Sequence, residues 1–456
     1  MPMKLSLVAA LCLTSCLSQA QQAPVREERF FDWTQLQFPA ETYAARRAAL
    51  GTALGDSKQL FLCPAASGFT SGDTFRQLDD FLYFSGLELP NSVLVIRGGG
   101  APAILFAPER DLRFESATRP GDFPGRPLAL DPELAKRSGI SDVRSYGELE
   151  QALGDWLAKD MRLHVNAGGR GPVAPGTDFV RRYSPADALL AHLQAKHPTA
   201  QLKDAFPQVA RLRMRKDAGE IRAIRRACEI TVDSILRSAR FIRPGVDERT
   251  LEGELEAGFK AGGAQRPAFD SIIKSGPNSL WPWRILAAHY DRRNRKLQAG
   301  ELVIFDVGCE WNRYASDLGR SFPVSGSFSP AQEQRLRMIT AASDAVIAGI
   351  KPGVTFGQLR RVLLDKIPQA ERKYMQASLF FGHHIGLEVG DASLDDLALE
   401  PGMVFTVEPW YYNHDEGLAV FIEDDVLVTE QGCENLSARL PRSPRALEAL
   451  TALGAK

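Results

Sequence analysis

Short apolar runs and amphipathic stretches alternate along the whole chain, and two of the apolar patterns end in charge. Leu302-Val303-Ile304-Phe305 is a continuous apolar run of the kind a buried strand shows, and it leads into Asp306. A polar patch with Trp311-Asn312-Arg313 follows, then a second run holding Asp317. A turn centred between Trp311 and Asn312 places Asp306 directly opposite Asp317 in a predicted hairpin. Opposed residues share a sheet face, with Cβ atoms about 5 Å apart. The pattern recurs near the C-terminus. Met403 to Val407 leads into Glu408, Leu418 to Ile422 leads into Glu423, and His414-Asp415-Glu416-Gly417 supplies a turn between them. Its midpoint lies between Asp415 and Glu416, which sets Glu408 opposite Glu423.

The remaining elements divide the chain. Glu41 to Leu50 and Leu149 to Leu157 read as helices. Gln59 to Pro64, Phe81 to Phe84, Ser92 to Arg97 and Ala103 to Ala107 are short apolar runs, and Arg162 to Asn166 reads as a strand. Gly98-Gly99-Gly100 is a hairpin turn and not a phosphate loop, because no helix with Lys-Ser/Thr follows it. Beyond Pro207 the texture changes. Ala218 to Ala239, Thr250 to Gly262, Ala331 to Ile350 and Thr355 to Ile367 carry helical apolar spacing. These helices interleave with the acidic hairpins in an order that occurs twice, which hints at a duplicated half-domain. The expected organisation is a segment 1–20, a linker 21–40, an N-terminal domain 41–206, an α+β domain 207–440 and a tail 441–456.

At 456 residues two domains are the default. A net charge of −1 leaves no basic footprint for nucleic acid. Residues 1–20 read as an export signal: Lys4, an apolar stretch Leu5 to Leu13 too short to span a membrane, and Ser18-Gln19-Ala20 for cleavage. Leu13-Thr14-Ser15-Cys16 also fits a lipobox, which would place a lipid anchor on Cys16. The expected location is therefore exported, periplasmic or secreted, with a membrane-anchored lipoprotein as the alternative. Cys63, Cys228, Cys309 and Cys433 are scattered, so neither a disulfide scaffold nor a zinc ribbon is indicated. Cys309, three residues after Asp306, reads as a packing residue. His164, His192 and His197 stand alone and read as surface or core groups.

Four acids at strand level would cost several kcal/mol each if buried uncompensated, and a polyvalent cation is the simplest remedy. Between the two pairs lies Phe380-Phe381-Gly382-His383-His384-Ile385-Gly386. In the company of four acids, His383 reads as a ligand. Oxygen-rich ligands with one imidazole suit Mn, Co, Zn or Fe. Five ligands including two bridging carboxylates would hold two metals about 3.5–4 Å apart, a site that activates water as hydroxide and polarises a carbonyl.

These motifs, Asp306-x-Gly308 with Asp317 eleven residues on, Gly382-His383-x-Ile385-Gly386, Val407-Glu408-Pro409 and Ile422-Glu423-Asp424-Asp425-Val426-Leu427-Val428-Thr429, resemble the pita-bread metallopeptidases: aminopeptidase P, prolidase and methionine aminopeptidase. The resemblance covers roughly residues 207–440. Phe75-Arg76-Gln77, Phe81 to Gly86 and Val93 to Ile96 resemble the creatinase-like domain that precedes it in aminopeptidase P and prolidase. The fold implied is α+β, a C-terminal pita-bread domain preceded by a smaller α/β creatinase-like domain.

The resemblance implies Asp306, Asp317, His383, Glu408 and Glu423 as metal ligands, with Asp317 and Glu423 bridging two divalent ions, manganese foremost. It implies Glu408 as the proton relay and His289 as the group that steadies the substrate amide. It does not imply a metal on His384. Four positions depart from the family pattern: Gly390 and Leu379 stand where histidines are usual, Phe421 where an arginine is frequent, and Gly319 where a threonine is usual. The activity implied is hydrolysis of an N-terminal Xaa-Pro bond, on peptides with proline second, by a homodimer or higher homo-oligomer. The alternatives are a prolidase restricted to dipeptides, a metal-binding pseudoenzyme, and a metal-independent creatinase-like hydrolase, the last two disfavoured by the complete ligand set.

Overall fold

The computed structural model describes residues 36–67, 75–109, 132–168, 185–280, 294–375, 382–395 and 397–452. The expected export signal, Cys16, most of the expected linker, His289 and Leu379 lie outside them. Among the described residues no helix is long and apolar enough to cross a membrane.

The N-terminal half is built on one mixed sheet of β1 (Gln59–Pro64), β2 (Val93–Arg97), β3 (Ile104–Ala107), β4 (Asp142–Ser145), β5 (Arg162–Val165) and β6 (Leu202–Asp204), ordered β4-β3-β2-β1-β5-β6. The glycine run at 98–100 does turn β2 back onto β3 in an antiparallel pair. Leu60, Leu62, Val95 and Phe106 face one apolar layer and Phe61, Leu94, Ile96 and Leu105 the other, as the two-residue period of a strand requires. Phe81 to Phe84 does not extend as a strand. It lies within a helix, Asp79–Ser85, with Asp79 and Asp80 in the first turn and left-handed Gly86 as cap. Acids at a helix start and a left-handed glycine at its end outweigh an apolar run whose length alone fits either element.

In the C-terminal half a helix pair precedes each acidic hairpin. Ala218–Ser238 packs on Glu248–Ala261 ahead of the first, and Pro330–Gly349 on Phe356–Asp365 ahead of the second. Three of these helices start from a full capping box, on Asp217, Ser329 and Thr355. The first hairpin comprises β9 (Leu302–Val307), β10 (Cys309–Trp311), β11 (Tyr314–Ala315) and β12 (Leu318–Pro323), with β7 (Arg266–Pro267) beside β10 and β8 (Ile272–Ser275) beside β9. The second comprises β13 (Val404–Val407), β14 (Trp410–Asn413), β15 (Leu418–Phe421) and β16 (Asp424–Val428).

The second hairpin has the expected register: Val407 opposes Asp424 and Trp410 opposes Phe421, which continues to Glu408 opposite Glu423. The first is shifted by two residues. Trp311 pairs with Tyr314, so the turn is Asn312-Arg313, and Asp306 opposes Gly319 and not Asp317. Both turn residues have positive φ, 48° and 71°, the handedness that matches the twist of flanking strands in a two-residue loop. Arg313 tolerates that conformation because its guanidinium is tied to the Gln77 carbonyl at 2.9 Å and to Asp79 at 2.7 Å. A shift of two preserves parity, so Asp306 and Asp317 still share a face.

The segment expected as a tail is ordered structure. Pro444–Ala452 is a helix, and its Leu447 is fully buried in the main core of this half. Residues 36–39 are likewise anchored, with the Gln37 amide donating to the Asn312 carbonyl at 2.8 Å.

Candidate metal centre

One antiparallel bridge brings the hairpins together. Gly319 and Glu423 exchange backbone hydrogen bonds, Gly319 N–H to the Glu423 carbonyl at 3.3 Å and the reverse at 2.9 Å. The buried Arg320 guanidinium fastens the same joint, donating to the carbonyls of Gly319 and Glu423 at 2.6 Å and to the Asp424 carboxylate at 2.7 Å. Asp306, Gly319, Glu423 and Glu408 thus form one lateral row across both hairpins, with Asp317 two residues from Gly319 on the same strand.

The structure brings the sequence-predicted ligands together. Carboxylate oxygens of Asp317 and Glu423 and a ring nitrogen of His383 all lie within 4.8 Å of one another. His383 Nε2 is 3.4 Å from Asp317 Oδ2 and 3.3 Å from Glu408 Oε1. Asp306 lies close enough to Asp317 for the two carboxyl groups to repel each other's charge. The four acids are 0–6% exposed. His383 Nδ1 lies 3.2 Å from the His384 carbonyl, which fixes the proton on Nδ1 and turns Nε2 toward the acids.

The electrostatics report a charge deficit. Burial pushes the Asp306 carboxyl well above the usual range, and Asp317 and Glu408 add to it. Glu423 is raised the same way by burial and by all three other acids. Glu408 is held up at about 7, chiefly by burial. Burial opposes a charged His383 ring, yet the bond to Asp317 and the charges of Glu408 and Asp317 outweigh it and raise the ring to about 9. Asp317 Oδ1 and both Glu423 oxygens are buried without a hydrogen-bond partner among the described residues. Orphaned acid oxygens facing one imidazole are what divalent cations satisfy. The residues present fit such ions: Asp317, Glu423 and His383 would be shared between them or hold one, with Asp306 and Glu408 alongside.

Sequence reasoning missed four supporting residues. Thr406 Oγ1 donates to Glu408 Oε1 at 3.0 Å and accepts from His383 N–H at 3.1 Å. Trp410 Nε1–H donates to Glu408 Oε2 at 3.1 Å. Asp425 Oδ2 accepts from the Asp317 N–H at 3.0 Å, and Cys228 Sγ lies 3.1 Å from the same oxygen. The signal was present: residues 406, 408 and 410 alternate along one strand direction and so share a face.

Other expectations sort themselves. Cys309 packs against Ala227 and Thr231, away from the acids. His164 bonds Gln59, while His192 and His197 contact Glu150. His384 is buried against Phe356 and is not in the ligand group. Gly390 is exposed, and a Cβ there would meet no atom within 4 Å.

Comparison with known proteins agrees with this geometry. The model of metallopeptidase family M24 matches residues 222–430, and that of the aminopeptidase P N-terminal domain matches residues 43–165. The chain is 29% identical to the Xaa-Pro aminopeptidase of Escherichia coli (strain K12) over 447 residues, covering 90% of this chain and 97% of that protein. It is 31% identical to the Xaa-Pro dipeptidase of Pyrococcus furiosus over 257 residues, covering 55% of this chain and 70% of that protein. The structure of E. coli aminopeptidase P with the inhibitor Pro-Leu aligns with a TM-score of 0.75 at 27% identity, covering 92% of this chain and 99% of that one. The chain therefore belongs to metallopeptidase family M24, as a metallo-aminopeptidase carrying the aminopeptidase P type of N-terminal domain. Its cofactors are divalent metal ions.

Proposed function

We propose that the chain is an exported Xaa-Pro aminopeptidase working with two divalent ions, manganese foremost, held by Asp306, Asp317, His383, Glu408 and Glu423 with Asp317 and Glu423 shared. The observation that carries this reading is the convergence of four buried acids on one imidazole, with three of their oxygens unpartnered among the described residues. When bound, the ions supply Lewis-acid chemistry, activating water and polarising the scissile carbonyl.

The protein's own groups do the rest. Glu408 receives the proton of the attacking water and passes it to the departing amine, a transfer that is needed because an amine leaves only once its nitrogen has gained a proton. Thr406 and Trp410 hold its two oxygens in place. His383, with its tautomer set by the His384 carbonyl, orients the ligand group. His289 is assigned to the substrate amide.

The length of the match favours aminopeptidase over dipeptidase, since the E. coli aminopeptidase is spanned almost end to end. The test is to strip the purified chain of metal, restore Mn, Co or Zn, and assay Xaa-Pro-Xaa, Xaa-Pro and non-proline peptides. Metal-dependent cleavage of Xaa-Pro-Xaa bears the reading out. Cleavage of Xaa-Pro alone makes it a prolidase, and metal binding without turnover makes it a pseudoenzyme. The mass of the mature chain separates cleavage after Ala20 from a lipid on Cys16.

A further inference from the structure

Gly319 and Phe421, two of the positions that depart from the family pattern, are one structural feature with Trp410. A Cβ on Gly319 would lie 1.9 Å from Phe421 Cε1, so the phenylalanine ring fills the space a side chain would need. Its other face lies on the Trp410 indole, with ring centroids 3.5 Å apart at 19°. Tyr412 stacks on the indole as well, at 5.4 Å and 13°. Trp410 and Phe421 are 1% and 0% exposed, and with Tyr412, Ala419 and Ile304 they make a small core of their own. Rings of that size packed at interior density have no freedom to swing.

Among the described residues the indole gives this seat its hydrogen bond to the acids. An indole N–H can donate but not accept, and Trp410 donates to Glu408 Oε2, the oxygen that Thr406 does not hold. Gly319 also touches the row of acids, with Asp306 as its ladder partner on one side and Glu423 bridged on the other. A neutral donor in this place fixes the plane of the carboxylate without adding positive charge beside the metal ligands.

We propose that Trp410 is a positioning residue for hydrolysis, acting through the Glu408 carboxylate, and that Gly319 and Phe421 form the seat that holds its indole. The inference rests on the reading of Glu408 as the proton carrier.

Trp410→Phe keeps the stacked ring and removes the N–H. The expected result is a kcat lower by about 10–100-fold, the range for removing an outer partner of a metal-site group, with KM changed less than about twofold. Metal content by elemental analysis is expected to stay at the wild-type level. Indole fluorescence gives a readout without turnover: adding Mn to the stripped wild type shifts the emission, and Trp410→Phe loses most of that shift. Gly319→Ala is the second variant, intact in its N–H but displaced in its seat, and it is expected to lower kcat in the same direction with metal retained. Wild-type kcat in a metal-loaded Trp410→Phe overturns the proposal, and so does loss of its metal, which would make the indole a support for binding. Should Trp410→Phe fail to fold, a wild-type kcat in Gly319→Ala overturns it. A wild type that turns over no peptide refutes the functional reading instead, and the fluorescence arm then decides the Trp410–Glu408 contact by itself.

Discussion

Two regions of this molecule treat their buried acids in opposite ways. At the junction of the two halves each has an arginine or lysine. Asp391 is held by Arg213 and by Lys216 Nζ at 3.2 Å, and Arg213 also reaches Asp80 at 2.9 Å. Asp79 takes Arg313 at 2.7 Å, and Glu310 takes Arg76 together with Arg266 at 3.2 Å. Burial pushes the Asp391 carboxyl up, but Arg213 and Lys216 outweigh it and hold the group below its usual value. In the candidate centre burial is comparable, no arginine or lysine pairs with the four acids among the described residues, and Asp306, Glu408 and Glu423 are all raised. The contrast teaches that low exposure alone does not mark a site. What marks it is burial for which the protein supplies no countercharge.

The sharpest way to break the contrast is to remove an acid proposed to bridge the ions. Asp317→Ala is expected to lose metal and activity together, by about three decades or more, since several kcal/mol of transition-state stabilisation depend on the ions. Activity that persists without metal would dissolve the distinction between the two regions. Arg213→Met makes the converse change at the junction. It leaves Asp391 buried with Lys216 alone and is expected to cost about 3 kcal/mol in denaturant unfolding, with metal content unchanged.

A third experiment reads the deficit through pH. Glu408 is raised from 4.5 to about 7 and His383 from 6.5 to about 9. Both groups bind protons more tightly folded than unfolded, so their contribution is full below the unfolded values and is lost as pH rises through the folded ones. The metal-stripped protein should therefore lose Tm between about pH 5 and 9, and added metal should restore more at the high end. A stripped protein with a flat Tm over that window would show that the acids are already compensated. The smallest effect belongs to Gly390→His. The open space there leads us to expect a stability change within about 0.5 kcal/mol and unchanged metal content, with altered turnover on proline substrates. Unaltered turnover would show that this chain does not rely on a histidine at that position.

The two regions also differ in how far they could be read from the sequence. All five proposed ligands lie beside apolar runs or in a short glycine-flanked motif, so local pattern sufficed to nominate them. The junction was invisible because its partners are remote: Arg213 and Asp391 are 178 residues apart, and Arg76 and Glu310 are 234. The hairpins show the same limit at shorter range. Asp415 to Gly417 marked the second turn, whereas the first turn uses Arg313 in a left-handed conformation held by Gln77 and Asp79 from the other half of the chain. Nothing between Leu302 and Phe322 announces that support, and the register came out two residues off. The helix at Pro444–Ala452 was missed because its burial depends on a core assembled earlier in the chain.

The central claim is that divalent ions supply the countercharge that the protein does not. Anomalous diffraction from crystals grown with manganese tests it most directly. The account expects two peaks about 3.5–4 Å apart, within coordination distance of Asp317 and Glu423. An active protein with no peak within reach of those carboxylates would contradict it.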